Sequence, residues 1–173
     1  YETIKNETTT KIIDVSKNAD ELLIKIQEFK PDLIFNCLHG FFGEDGQIQS
    51  ILNYLKIPYT HSGVLTSAIL MNKVISKKLF VSLGIRSPES FTEYSIKNQK
   101  LKFPLIIKPI NGGSSYGLIK INNKKSLNKY LNNKKIKKSK MLIEEFIHGR
   151  ELTVGILENK ICGIMEIKFS EEL

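Results

Sequence analysis

A histidine, three glycines and two carboxylates fall within eight residues at His39-Gly40-Phe41-Phe42-Gly43-Glu44-Asp45-Gly46. An apolar run, Leu33-Ile34-Phe35-Asn36-Cys37-Leu38, precedes them and reads as a buried strand. Ile48, Ile51, Leu52 and Leu55 follow at helical spacing. The cluster therefore sits in a strand-to-helix turn, where open α/β sheets bind ligands. Two readings of its chemistry are open. His39 can be a satisfied core histidine, with Glu44 and Asp45 complementing the dipole of the helix they introduce. Alternatively, His39 and Glu44 hold a small zwitterion: imidazole and backbone N–H groups take its carboxylate, and a carboxylate takes its ammonium. No spacing here resembles a metal cage, and no Ser-His-Asp arrangement can be argued from it.

Three further groups carry chemistry. Lys108 ends an apolar strand, and Pro109-Ile110-Asn111-Gly112-Gly113-Ser114-Ser115-Tyr116-Gly117 follows at once. Glycines let backbone N–H groups approach an anion, the two serine hydroxyls add donors, and Lys108 supplies a point charge for a phosphate. This is not a Walker loop, because Gly-Lys-Ser/Thr is absent and the lysine precedes the glycines. A hairpin loop with turn glycines is the simpler account. In Glu144-Glu145-Phe146-Ile147-His148-Gly149-Arg150-Glu151, carboxylates stand at the end of one apolar run and the start of the next. They can accept from an amino group or from ribose hydroxyls, and the strand edge near Phe146 and Ile147 can offer backbone donors to a purine. They can equally be solvated strand ends. Lys73 is a lone cation at a helix start.

The elements that must position these groups follow from pattern. Lys11 to Val15 reads as a short strand. Asp20 caps a helix carrying Leu22, Leu23, Ile26 and Phe29, which Pro31 ends. With the strand at 33–38, the helix to about Leu55 and a strand at Ile57–Thr60, this alternation predicts a parallel sheet with crossover helices. From Ser62 a helical region runs to Leu83, with Asn72 placed to cap a second helix within it and Gly84 as its terminating glycine. Strands at 89–93 and 103–108, a return strand at 117–121, a lysine-rich helix at 126–131 and a strand at 141–146 follow. Strands at 153–157 and 161–169 are joined by Glu158-Asn159-Lys160, with Asn159 available for positive φ. This half is antiparallel and α+β.

Composition sets the outer limits. The chain has 173 residues, 41% hydrophobic and 25% charged, enough for one large or two small domains. No apolar run reaches the ~18 residues that span a bilayer, and no signal-peptide pattern opens the chain. The net charge is +8, and 97–140 contains lysines but no Asp or Glu. Those lysines travel with asparagines and with few aromatics, which reads as solvated surface rather than a nucleic-acid footprint. Cys37 and Cys162 lie in apolar runs and read as buried free thiols in a reducing compartment. The chain opens on Tyr1 and stops just after a strand-like run, which reads as a fragment of a longer protein.

Taken together, the motifs resemble those of D-alanine–D-alanine ligases, members of the ATP-grasp superfamily. The match covers His39 to Gly46 as His-Gly-x-x-Gly-Glu-Asp-Gly, Ile57-Pro58-Tyr59-Thr60 with Ser62-Gly63-Val64, and Met71-Asn72-Lys73. It continues through Ile107-Lys108-Pro109, Gly113-Ser114-Ser115-Tyr116-Gly117, Leu142-Ile143-Glu144-Glu145-Phe146 and Gly149-Arg150-Glu151-Leu152-Thr153-Val154. The resemblance implies an α/β fold: a Rossmann-like, pre-ATP-grasp parallel sheet at 1–62, a central ATP-binding α+β subdomain at 63–151, and the start of a C-terminal ATP-grasp subdomain at 152–173.

The resemblance also implies roles. Lys73 and Lys108 would contact nucleotide phosphates, and Gly113, Ser114 and Ser115 would form the loop closing over phosphates and substrate. Glu144 would accept from the adenine amino group, the backbone of Glu145 and Ile147 would complete the purine contacts, and Glu151 would hold the ribose. His39 and Glu44 would lie on the D-alanine side. ATP would phosphorylate one D-alanine carboxylate, and the amine of a second D-alanine would attack the acyl phosphate, making a peptidoglycan precursor. Lysines, magnesium (or manganese) and inward N–H groups would offset the charge that develops, and loop closure would keep water out. The implied protein is a cytoplasmic homodimer with no nucleic-acid or membrane partner. Asn72 replaces a usual Asp and Tyr116 a usual Val. The family's first glycine-rich loop and its C-terminal third, with the metal ligands, have no counterpart in these residues. Ligases of D-lactate or D-serine, and a non-catalytic nucleotide-binding module, are the alternatives. Continuation of the reading frame into a metal motif favours a ligase, and a stop at that point favours the module.

Overall fold

The computed structural model describes residues 7–15, 19–113, 115–133 and 140–168. The chain divides into two compact units, 1–67 and 68–173.

In the first unit, α1 (Ala19–Phe29) and α2 (Gln47–Tyr54) bury one face each. Leu22 and Ile26 of α1 meet Ile48 and Leu52 of α2, with Ile34, Leu38, Phe42 and Tyr59 packed around them. Burying each such aliphatic side chain contributes about 1.5–3 kcal/mol. α1 ends at Phe29, two residues before Pro31: Lys30 adopts a left-handed conformation (φ 51°), and its N–H donates to Ile26 O at 2.8 Å.

The parallel pairing anticipated here is present as a single bridge, Ile34 to Tyr59. Ile34 N–H donates to Pro58 O at 2.9 Å, and Thr60 N–H donates to Ile34 O at 3.0 Å. Residues 11–15 form no strand. An apolar run becomes a strand only when neighbours complete its ladder, and among the described residues Ile34 has one neighbour. Cys37 lies beside this bridge and is exposed, as is Cys162; both are free thiols, so the expectation of burial was wrong for both. Among the described residues, no layer packs over either position.

The second unit is built on a four-stranded antiparallel sheet in the order β1-β4-β2-β3. Its strands are β1 (Ser90–Phe91), β2 (Leu105–Pro109), β3 (Ile119–Ile121) and β4 (Met141–Glu145). Alternation sends Phe91, Leu105, Ile107, Ile121 and Ile143 to one face, against Leu127 and Tyr130 of α5 (Lys124–Asn132) and Ile96. The opposite face carries Ile106, Lys108, Leu142 and Glu144, because Ile106 pairs with Glu144 and Lys108 with Leu142.

Two helices precede the sheet. α3 (Val64–Met71) ends where Asn72 caps α4 (Lys73–Ser82), accepting from Val74 N–H at 3.1 Å and Ile75 N–H at 3.2 Å. Gly84 (φ 74°) closes α4, with Gly84 N–H donating to Val81 O and Ile85 N–H to Phe80 O. A hairpin, β5 (Glu151–Leu157) and β6 (Lys160–Ile167), completes the unit. Its turn is the two residues Glu158 and Asn159, both at positive φ, as the twist of a two-residue hairpin requires. No described helix is long and apolar enough to cross a membrane.

Candidate active site

The loop after Leu38 is a closed hydrogen-bonded structure. Glu44 folds back so that its carboxylate accepts from Gly40 N–H at 2.5 Å, while its own N–H donates to Gly40 O at 2.9 Å. Asp45 accepts from Phe42 N–H at 3.0 Å, Gln47 N–H at 3.2 Å and the Gln47 amide at 2.8 Å. Burial pushes the Asp45 carboxyl up, but the hydrogen bonds from Phe42 and Gln47 outweigh it and hold the group below its ordinary value. Gly43 packs directly on Leu38: a Cβ there would stand 2.3 Å from Leu38 Cβ. Gly43 O accepts from Asn36 Nδ2 at 3.0 Å and from Gln49 Nε2 at 2.8 Å. Asn36 also accepts from Leu38 N–H at 3.0 Å.

Buried Asn36 and Gln49 thus hold the loop, and the sequence reading passed over both. The available signal was a polar side chain inside each apolar pattern, which must find a partner when buried. His39 is not a core residue. Its side chain is 82% exposed, with Nδ1 3.9 Å from Glu44 Oε1. The core-histidine reading therefore falls, and an exposed imidazole beside a half-exposed carboxylate remains.

In the second unit, strand register and the start of α4 gather charges that lie far apart in the sequence. Glu144 is 4% exposed. One carboxylate oxygen pairs with Lys108 Nζ, and the other accepts from Lys77 Nζ at 2.6 Å. Lys77 also donates to Pro88 O at 2.7 Å. Lys73 Nζ donates to Gly112 O at 2.6 Å, and Lys73 N–H donates to Ile110 O at 3.0 Å. Gly112 N–H meets Met71 Sδ at 3.1 Å, so the start of the glycine loop is tied to the junction of α3 and α4. Burial pushes the Lys73 ammonium down, repulsion from Lys108 pushes the same way, and Glu144 opposes them; the result lies below the ordinary lysine value. Two lysines on one carboxylate, with Lys73 beside them on Gly112 O, leave an excess positive charge beside the glycine loop.

Lys77 is the member of this group that sequence reasoning missed. Its signal was the i, i+4 spacing from Lys73, which puts both on one helix face. The remaining candidates are more open. Gly113 O accepts from Tyr116 N–H at 3.2 Å, and Ser115 is exposed in a left-handed conformation (φ 55°). Ser114 lies outside the described residues. Glu145 N–H donates to Glu89 O, and Ile147 is 58% exposed after the end of β4. Lys120 Nζ lies 4.4 Å over the Phe146 ring, which meets His148 edge-on at 4.7 Å. Glu151 opens β5 opposite Ile167 and is exposed. Among the described residues, no three His, Cys, Asp or Glu side chains group as metal ligands.

Two family profiles match the chain. The profile of the D-ala D-ala ligase N-terminus matches residues 2–62, and that of the D-ala D-ala ligase C-terminus matches residues 80–173. The chain belongs to the D-alanine–D-alanine ligase family. The family's ligase from Pelagibacter ubique is 46% identical over 179 residues, covering 96% of this chain and 56% of the relative. The chain spans about half the length of the curated relatives it matches. Among solved structures, D-alanine–D-alanine ligase from Bacillus anthracis gives a TM-score of 0.77 at 35% identity, covering 96% of this chain and 57% of that one. The same enzyme complexed with ATP gives 0.71 at 31% identity, with the same coverage. A D-Ala:D-Ser ligase from Enterococcus faecalis gives 0.67 at 35% identity, covering 80% and 44%. These ligase neighbours carry the ATP-grasp fold that the motifs implied.

Proposed function

We propose that this chain is part of an ATP-dependent ligase that joins two D-alanines into D-alanyl-D-alanine for peptidoglycan precursors. The observation that carries the reading is a cationic group, Lys77 and Lys108 on buried Glu144 and Lys73 on Gly112 O of the glycine loop, in a member of this family. A triphosphate brings the negative charge that this group lacks. The ATP complex of the Bacillus anthracis relative supports ATP as the nucleotide.

On this reading Lys73 and Lys108 take the phosphates, and an arriving anion restores Lys73 toward its ordinary basicity. Gly113, Ser114 and Ser115 close over the transferring group, Glu144 accepts from the adenine amino group, Glu145 and Ile147 offer backbone to the purine, and Glu151 takes the ribose. His39 and Glu44 orient D-alanine. The γ-phosphoryl passes to one D-alanine carboxylate, the amine of the second attacks the acyl carbon, and phosphate leaves. Lysines aimed at the phosphates stabilise charge as it develops, without reorganising at the moment of reaction.

The described residues do not fit Mg2+ or Mn2+. Lysines line the group, and two of them occupy its buried carboxylate. The domain assignment we propose is a substrate domain at 1–62, a central ATP-binding subdomain at 63–151 and the start of a C-terminal subdomain from 152, in a cytoplasmic homodimer. The likeness to a D-Ala:D-Ser ligase supports D-serine as an alternative second substrate, and D-lactate is the other alternative to test.

The test is phosphate release from ATP by the full-length protein as a function of D-alanine, with D-serine and D-lactate as competitors. The reading requires D-alanine-dependent release with dipeptide formed in step. Release indifferent to D-alanine contradicts it, and faster product formation with D-serine or D-lactate moves the assignment to that ligase.

A further inference from the structure

Lys73, Lys108 and Glu144 have roles in the proposed ATP site, and Lys77 has none. Its surroundings are specific. The side chain is 13% exposed, and its ammonium bridges Glu144 at 2.6 Å and Pro88 O at 2.7 Å. Pro88 precedes β1, whose Ser90 pairs with Glu144 across the sheet. Lys77 therefore holds the carboxylate from α4 while the sheet holds its backbone.

The second partner of Glu144 is Lys108, on the neighbouring strand and the same face. Lys108 is 28% exposed at the side chain, against 13% for Lys77, and it borders the glycine loop. If Lys108 turned to an anion with no other cation present, Glu144 would be left as an uncompensated buried charge. Leaving one partner of a buried ion pair unmatched is strongly disfavoured, and a carboxylate without its cation loses its fixed position. A carboxylate held in place only accepts, so it distinguishes an amino group, which donates, from a carbonyl, which does not.

We infer that Lys77 is a positioning residue: it stays with Glu144 when Lys108 engages the nucleotide, keeps the carboxylate fixed as an acceptor, and thereby makes the site selective for a purine bearing an exocyclic amino group. The inference rests on the proposed ATP site. Lys108 exchanges partners, while Lys77 does not.

The test compares dissociation constants for ATP and for inosine triphosphate, which has a carbonyl in place of the amino group, on the full-length protein by calorimetry. The variants are Lys77→Gln and Lys77→Arg, with Lys77→Met measured in place of Lys77→Gln should that variant not fold. The wild type binds ATP more tightly than inosine triphosphate. The neutral variant reduces that preference at least about tenfold, and Lys77→Arg restores most of it. A structural tie between α4 and the sheet would weaken both nucleotides equally. Equal weakening, or an unchanged preference, overturns the inference while leaving the ATP site standing. Failure of the wild type to bind ATP overturns the ATP site and the inference together.

Discussion

The two glycine-bearing loops of this chain solve opposite problems. The loop at 39–46 spends its polar groups on itself. Glu44 and Asp45 cap its own N–H groups, Asn36 and Gln49 hold Gly43 O, and Gly43 is pressed against Leu38. The loop after Lys108 is anchored at its start by Lys73 and Met71 and then opens out: Gly113, Ser115 and Tyr116 are exposed, and a Cβ on Gly112 would meet nothing within 4 Å. The first is built to keep one shape. The second leaves its described tip exposed. On the proposed function, the first would orient a small zwitterion and the second would follow a changing phosphate.

The sharpest break in this comparison is a pair of glycine substitutions. Gly43→Ala places a methyl 2.3 Å from Leu38 Cβ and 2.7 Å from Leu38 C, so backbone must move. We expect a loss of about 3 kcal/mol or more in urea unfolding, at the upper end of overpacking effects. Gly112→Ala meets open space but sits at φ 122°, and backbone strain alone is expected to remove about 1–3 kcal/mol. Equal losses would erase the distinction between a packed loop and an open one.

Next in size is Asn36→Ala. It deprives Gly43 O of one donor and Leu38 N–H of its acceptor inside buried structure, for an expected loss of about 1–3 kcal/mol. Thermal unfolding with no change in midpoint would show that Gln49 alone holds the loop.

The smallest effect belongs to Lys73. Its folded pKa lies below its unfolded value, so the charged side chain opposes folding at neutral pH. That penalty fades as pH rises from the folded pKa toward the unfolded one. Lys73→Met removes this penalty together with the hydrogen bond to Gly112 O, so the expected signature is the pH trend: the nucleotide-free wild type gains stability relative to the variant as pH climbs toward the ordinary lysine value. A difference that moves the other way with pH would contradict the assignment.

What could be read before the structure was mostly local. Asn72 caps α4 because its side chain reaches the N–H groups two and three residues on, and Gly84 and Asn159 adopt positive φ where glycine and asparagine strain least. The run at 11–15 looked equally strand-like and is not a strand, because a ladder depends on a neighbour that no local pattern contains. The same limit hid Lys77. Lys73 and Lys108 stood out by motif, but only the pairing of β2 with β4 brings Lys108 to Glu144, and only the placement of α4 brings Lys77 to the same carboxylate. Asn36 and Gln49 were hidden for a related reason: a polar residue in an apolar pattern is conspicuous only once its burial is known.

The central claim is a division of labour, with nucleotide held by the lysine cluster and D-alanine by the His39 loop. Calorimetric titration of ATP into full-length wild type, Lys108→Ala and His39→Ala tests it most directly. The account predicts at least about a tenfold loss of ATP affinity for Lys108→Ala, since a charge-assisted contact contributes about 1.5–3 kcal/mol. It predicts an essentially unchanged constant for His39→Ala, whose defect should lie in dipeptide formation. Wild-type ATP affinity in Lys108→Ala, or a comparable loss in His39→Ala, would contradict it.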